Sequence, residues 1–208
     1  FFHAPEVVTG DVNFRIKTSA TGILKFYGSY AKNKLGLRNP DIDVTSLKNS
    51  FALANTNIYT NLSYKERIAN RLKLLAAFSF SQDLNEIRQE VVDAENNPVN
   101  GNSRPPFVQA KNFSLDAKNN LLQARAVLDY KLKGLSSVKF GGEYWYSKDN
   151  SLYNQYHTTL EDHYTSAFAE ADIYITSKLA GRAGLRAEHS DLIKATNIAP
   201  RASLAYKL

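Results

Sequence analysis

The residues to weigh first for chemistry are the four histidines, His3, His157, His163 and His189. His189-Ser190-Asp191 holds the three residue types of a hydrolytic relay, in which a base activates a hydroxyl and an acid orients the base. On an extended strand consecutive residues point to alternate faces, so these three cannot converge. His189 is read instead as an outward, interfacial histidine near a strand end. Glu161-Asp162-His163, with His157 nearby, would offer two imidazoles and carboxylates, a donor set that suits Zn²⁺. A solvated loop cluster explains the same residues. Asp41-Ile42-Asp43 lacks the Gly and distal Glu of a calcium loop and reads as a polar loop. The chain has no Cys, which excludes disulfides, thiol catalysis and thiolate metal sites. It has no phosphate-binding glycine loop and no dinucleotide fingerprint, and its two glycosylation sequons, at Asn61 and Asn112, are chance matches. No catalytic residue, metal or cofactor is expected, and the chain does not read as an enzyme.

The charges that recur at alternate positions carry more information. Lys139, Glu143, Glu170, Asp172, Arg182, Arg186, Glu188 and Arg201 fall on one predicted face of adjacent strands. Opposite charges placed so pair across strands, or they contact a plug or a substrate. Tyr153, Tyr156 and Phe107, in predicted connections, are candidates for contact with substrate at a mouth.

The elements that position these residues are β-strands, because the hydrophobic period is two. In 167–176, Ala167, Ala169, Ala171, Ile173 and Ile175 oppose Phe168, Glu170, Asp172, Tyr174 and Thr176. A helix would scatter the acids around its circumference; a strand separates them. The pattern recurs and predicts about nine strands, near 11–19, 22–35, 51–65, 70–84, 118–132, 137–150, 163–177, 181–193 and 198–208. Short connections are expected at 19–22, 66–69, 133–136 and 178–181, and long ones at 36–50, 85–117 and 151–162. The 85–117 stretch holds the breakers Asn96-Asn97-Pro98, Asn100-Gly101-Asn102 and Arg104-Pro105-Pro106. The 194–197 link is short and breaks the alternation. Short turns at one end and long loops at the other are the habit of up-and-down membrane barrels.

Strand after strand pairs a polar face with one of Ala, Leu, Ile, Phe and Tyr, and the sequence contains no large hydrophobic helix to cover that second face. Burying it needs a second sheet or lipid, and in lipid a closed barrel satisfies every backbone N–H and C=O. Tyr64, Tyr130, Tyr144, Tyr146 and Tyr206 lie on the apolar face near predicted strand ends, where interfacial aromatic girdles form. No stretch approaches the ~18 apolar residues of a membrane-spanning helix. The net charge of +6 comes from basic residues spread singly, without a run of five, which argues against a nucleic-acid partner. The chain opens at Phe1-Phe2-His3 without a start Met or signal-peptide pattern, as a mature or partial chain would.

Ala167-Phe168-Ala169-Glu170-Ala171-Asp172-Ile173-Tyr174, then Leu185-Arg186-Ala187-Glu188, then Ala199-Pro200-Arg201-Ala202-Ser203-Leu204-Ala205-Tyr206-Lys207 resemble a recurring stretch of TonB-dependent outer-membrane receptors, most closely those of Bacteroidota. Lys139-Phe140-Gly141-Gly142-Glu143-Tyr144 resembles the strand before it. The resemblance covers roughly 137–208. It implies an antiparallel up-and-down transmembrane β-barrel of 22 strands around an N-terminal plug that carries a TonB box. It further implies uptake of a siderophore, haem, cobalamin, glycan or peptide, driven through TonB, ExbB and ExbD, and in glycan-uptake members a surface lipoprotein lid. Neither plug nor TonB box is found here. All of 1–208 is therefore expected to be part of one barrel domain, with an intact chain extending in both directions. The expected partners are outer-membrane lipid, the chain's own plug, TonB and a surface lipoprotein. The runner-up expectation is a structural or passive-pore barrel, and behind it a barrel enzyme.

Overall fold

The computed structural model describes residues 1–99 and 106–207. The Phe107 side chain and the breaker residues at 100–102 and 104–105 lie outside the described part. Nine strands form one sheet: β1 (His3–Lys17), β2 (Ile23–Pro40), β3 (Lys48–Ala69), β4 (Leu72–Val92), β5 (Phe113–Lys131), β6 (Ser137–Tyr153), β7 (Tyr156–Tyr174), β8 (Leu179–Ser190) and β9 (Ala195–Tyr206). A single helical turn, α1 (Pro106–Gln109), stands between β4 and β5. Each strand pairs antiparallel with its chain neighbours, in the order β1 to β9. The sheet is open, with β1 and β9 as free edges, and almost every residue of these two strands is exposed.

The strands form where period-two patterning coincides with residues that favour a pleated surface. The turns carry their own chemistry. Ser19 Oγ accepts hydrogen bonds from the Thr21 and Gly22 amides, and Thr176 Oγ1 accepts from those of Lys178 and Leu179. Left-handed backbone appears at Gly134, Asn154 and Lys194, each in a hairpin connection. Gly and Asn visit that region at little cost.

The nine strands match the sequence expectation in number, type and order. Their lengths do not. β3 has 22 residues and β4 has 21, far beyond the usual five or six. The expected long connections at 36–50, 85–117 and 151–162 are each partly strand. They shrink to 41–47, 93–112 and the two residues Asn154 and Gln155. Polar residues stand on both faces there, so the contrast that marks a strand in sequence fades while the backbone ladder continues. Tyr153 and Tyr156 are accordingly ladder partners across a hairpin and not loop residues.

The only compact apolar core among the described residues is small and sits at the long-strand end. Leu47, Val91 and Val108 are buried together, with Val44 and Val99 packed against them. Beside it Asp41, buried, receives the Val44 and Asp43 amides, the Asn49 side-chain amide and the Lys111 ammonium. Lys111 also reaches Asp43 at 2.6 Å. The lysine beside it holds the Asp41 carboxyl far below the usual carboxylate range, against the opposing effect of burial. Its partners in turn push the Lys111 ammonium up. Asp41-Ile42-Asp43 is thus a clasp joining the 41–47 and 93–112 connections.

Candidate functional site: the two faces of the sheet

Pairing register sorts every strand residue onto one of two faces. On the first, β4 shows Leu72, Leu74, Ala76, Phe78 and Phe80. β5 shows Leu122, Ala124, Ala126, Leu128 and Tyr130, and β6 shows Val138, Phe140, Gly142, Tyr144 and Tyr146. β7 continues with Thr165, Ala167, Ala169, Ala171 and Ile173, and β9 with Ile198, Pro200, Ala202, Leu204 and Tyr206. Across these runs, and 181–187 of β8 between them, this face carries no Asp, Glu, Lys or Arg among the described residues. Nothing among the described residues covers it. Leu185 is 53% exposed and Leu204 71%. Contiguous apolar surface on this scale marks an interaction face.

The apolar run is about nine residues on each of these strands, and it does not follow the hydrogen-bonded rows. On β1 it is Val8 to Ile16, centred on Val12; on β9 it is Ile198 to Tyr206, centred on Ala202. The row through Val12 passes Gly28 and Thr60 and meets β4 at Phe80. The row through Ala202 passes Ala183, Ala171, Val138 and Tyr130 and meets β4 at Leu72. These crossings are eight residues apart on β4 (80 − 72), over the eight strand steps from β1 to β9. The band therefore drifts by about one residue per strand. At ~3.3 Å rise per residue and ~4.8 Å between strands, that drift is an angle of about 35° to the rows. Tyr130 and Tyr206 lie at the band's edge nearest the short turns; Tyr30, Tyr144 and Tyr146 lie at the opposite edge. Beyond that far edge the same face turns charged, with Lys32, Lys34, Arg88, Asp116, Lys118 and Glu161.

The second face carries all eight charged residues expected from the sequence, and their register joins them into two networks. In one, Glu143 accepts from Arg186 at 2.8 Å and pairs with Arg125 at 3.2 Å, while Arg186 pairs with Glu188 at 3.0 Å. The Tyr164 hydroxyl donates to Glu188 at 2.6 Å and accepts from Arg186 at 3.1 Å. In the other, Asp172 bridges Lys139 and Arg182, and Glu170 bridges Arg182 and Arg201. Two glycines make room for these reaches. A Cβ at Gly141 would strike the Ala126 carbonyl and lie 2.9 Å from the Phe168 ring. The ring therefore leans over β6, where the Arg125 guanidinium lies 5.6 Å from its centroid. Gly184 stands in register between Glu170 and Arg201 and leaves their line clear. Arg125, Glu143, Phe168, Glu170, Arg186 and Arg201 are among the residues lining a shallow groove of about 540 Å³.

Arg125, Tyr164 and Phe168 belong to this site and were not singled out in the sequence. Arg125 did alternate with the apolar residues of its strand. The aromatic pair gave no signal, because aromatics are ordinary strand formers. A further feature was hidden altogether. Toward the long-strand ends the second face turns apolar, with Leu35, Leu53, Ile87, Leu115 and Tyr153 in a single row across β2 to β6.

The candidate chemistry separates as strand geometry requires. His189 bonds Thr196 on the first face, while Ser190 donates to Asp162 at 2.9 Å on the second. Glu161 and His163 share the first face, and Asp162 points away from both. Among the described residues no three His, Asp or Glu side chains gather around a common point. No helix among them is long and apolar enough to cross a membrane.

An open up-and-down antiparallel sheet, with one oblique apolar band and one ion-paired face, is the class these features define. No protein-family model matches the chain, and no curated protein matches it.

Proposed function

We propose that this sheet is a segment of a transmembrane β-barrel in a bacterial outer membrane, and that the barrel belongs to a TonB-dependent transporter that takes up a nutrient such as a siderophore, glycan or peptide. The observation that carries the membrane assignment is the obliquity of the apolar band. A flat slab of hydrocarbon crosses tilted strands at a constant height, so the lipid-facing run must step along successive strands. The tilt of about 35° derived above falls at the edge of the ~35–45° range of such barrels. Nine residues at ~3.3 Å, inclined by that angle, span about 24 Å, against an outward apolar band ~25 Å tall in such proteins. Tyrosines at both borders fit the interfacial girdles, and the free edges of β1 and β9 are where a barrel would continue.

The transporter assignment rests on the sequence likeness over 137–208 and on the ion-pair ladder of the second face, which would line the interior. Transport would proceed by binding and gated passage, without covalent chemistry. The partners in this reading are lipid, a plug, TonB and, for a glycan importer, a surface lipoprotein. The intact protein in a planar lipid bilayer tests the reading. A plugged transporter inserts yet shows no steady conductance until the plug is loosened by urea. Steady open-channel conductance from the start would favour a passive pore instead.

A further inference from the structure

The second face is divided into halves of different electrostatic character. On β6 to β9 opposite charges stand directly opposite in register: Lys139 against Glu170, Asp172 against Arg182. On β1 to β4, near the short turns, the same face carries Arg15, Lys17, Lys25, Lys65, Arg67 and Lys73. Two direct cross-strand pairs there have like charge, Arg15 with Lys25 and Arg67 with Lys73. Like charges so placed destabilise a sheet. None of the six makes a side-chain ion pair or hydrogen bond among the described residues. The acids nearby do not serve them. Glu66 lies on the other face, bonded to Ser19 and Tyr64. Asp11 accepts from the Tyr27 hydroxyl, and Asp129, next in the row after Lys73, has a carboxylate oxygen without a partner.

We infer that this strip of six cations is a binding site for a soluble polyanion, a solute carrying several phosphate, sulfate or carboxylate groups. The inference rests on the proposed reading of this face as a wet barrel interior, and it adds a substrate class to it. With ~4.8 Å between strands and ~6.6 Å between successive residues of one face, the six Cα positions fall within a strip of about 15 by 13 Å. A small polyanion spans that strip and bridges both like-charge pairs at once. A docked acidic polypeptide fits less well. Four of the six cations are Lys, which is depleted at protein interfaces, and packing over them would desolvate all six. A hydrated solute leaves them in water.

The test uses the intact protein, first shown to insert in lipid vesicles, then titrated with sodium tripolyphosphate by calorimetry in detergent micelles at low salt. The wild type binds, and binding weakens steeply with added salt. The double variants R15Q/K25Q and R67Q/K73Q each weaken binding tenfold or more. K118Q, on the opposite face, leaves it unchanged, and urea unfolding reports that each variant is folded. Binding that is absent in the inserted wild type, or equal in all variants, overturns the inference and leaves the membrane reading standing. So does a wild type that fails to bind while the double variants lose folding stability, since that result means a polypeptide already covers the strip. Failure to insert in lipid removes the reading on which the inference depends.

Discussion

Glu143 on β6 and Arg186 on β8 meet at 2.8 Å across the intervening strand β7. The contact ties three strands together, and Glu143, 8% exposed, also holds Arg125 on β5. Removing one partner of such a pair leaves the other charge poorly solvated, whereas removing both relieves it. Glu143→Gln is expected to lower unfolding stability by about 1–3 kcal/mol, discounted from the fully buried case because Arg186 is partly solvated. Arg186→Gln should cost a similar amount, and the double variant should cost less than their sum. Urea unfolding in micelles measures the cycle, and strict additivity would show that the two do not interact.

Gly141 is fixed by close approach. A methyl group there would strike the Ala126 carbonyl and the Phe168 ring that leans over it. Gly141→Ala is expected to destabilise the sheet by about 1–3 kcal/mol through overpacking. Gly10 has nothing within 4 Å of an added Cβ, so Gly10→Ala should be neutral by the same assay.

Asp41 makes the clasp at the long-strand end sensitive to acid. Its folded-state carboxyl titrates far below its unfolded value, so its contribution is complete above the ordinary carboxylate range and is lost as pH falls below it. Amide hydrogen exchange at Val44 and Asp43, which donate to this carboxylate, is expected to accelerate on acidification, after correction for the intrinsic rate. Asp41→Asn should show that acceleration already at neutral pH. Unchanged protection in the variant would mean that the clasp does not hold the loop.

Much of this was legible in the sequence, for a definite reason. Where 167–176 alternates Ala and Ile with Glu, Asp and Phe, two unlike environments flank the strand, and period two records both. The eight charges of the second face emerge from the same contrast. Where the contrast ends, so does the signal. The continuations at 85–92, 151–153 and 156–162 have polar residues on both faces and read as loops, although their backbones pair in the ladder. Register was equally invisible. It alone aligns Gly184 between Glu170 and Arg201, sets Arg15 opposite Lys25, and turns separate greasy runs into an oblique band.

The apolar face should be selective by depth. Ala126 lies at the centre of the band on β5, and Asn120 lies beyond its far edge on the same face. In lipid, Ala126→Arg is expected to cost about 2–4 kcal/mol and Asn120→Arg about 0–1 kcal/mol. Equal costs in reversible unfolding from vesicles would argue against a hydrocarbon environment at Ala126.

The absence of Cys from these 208 residues allows single-cysteine spin labels to be placed at any position among them. Power saturation in vesicles, with oxygen as the apolar and a nickel chelate as the polar relaxation agent, reads the depth of each label. Along β5, oxygen contact should alternate, high at Leu122, Ala124, Ala126 and Leu128 and low at Gln123 and Arg125. The deepest labels on β1, β5 and β9 should be at or beside Val12, Ala126 and Ala202, stepping about one residue per strand as a slab crossing tilted strands requires. No alternation, or depth maxima that follow a single hydrogen-bonded row, would contradict the membrane account.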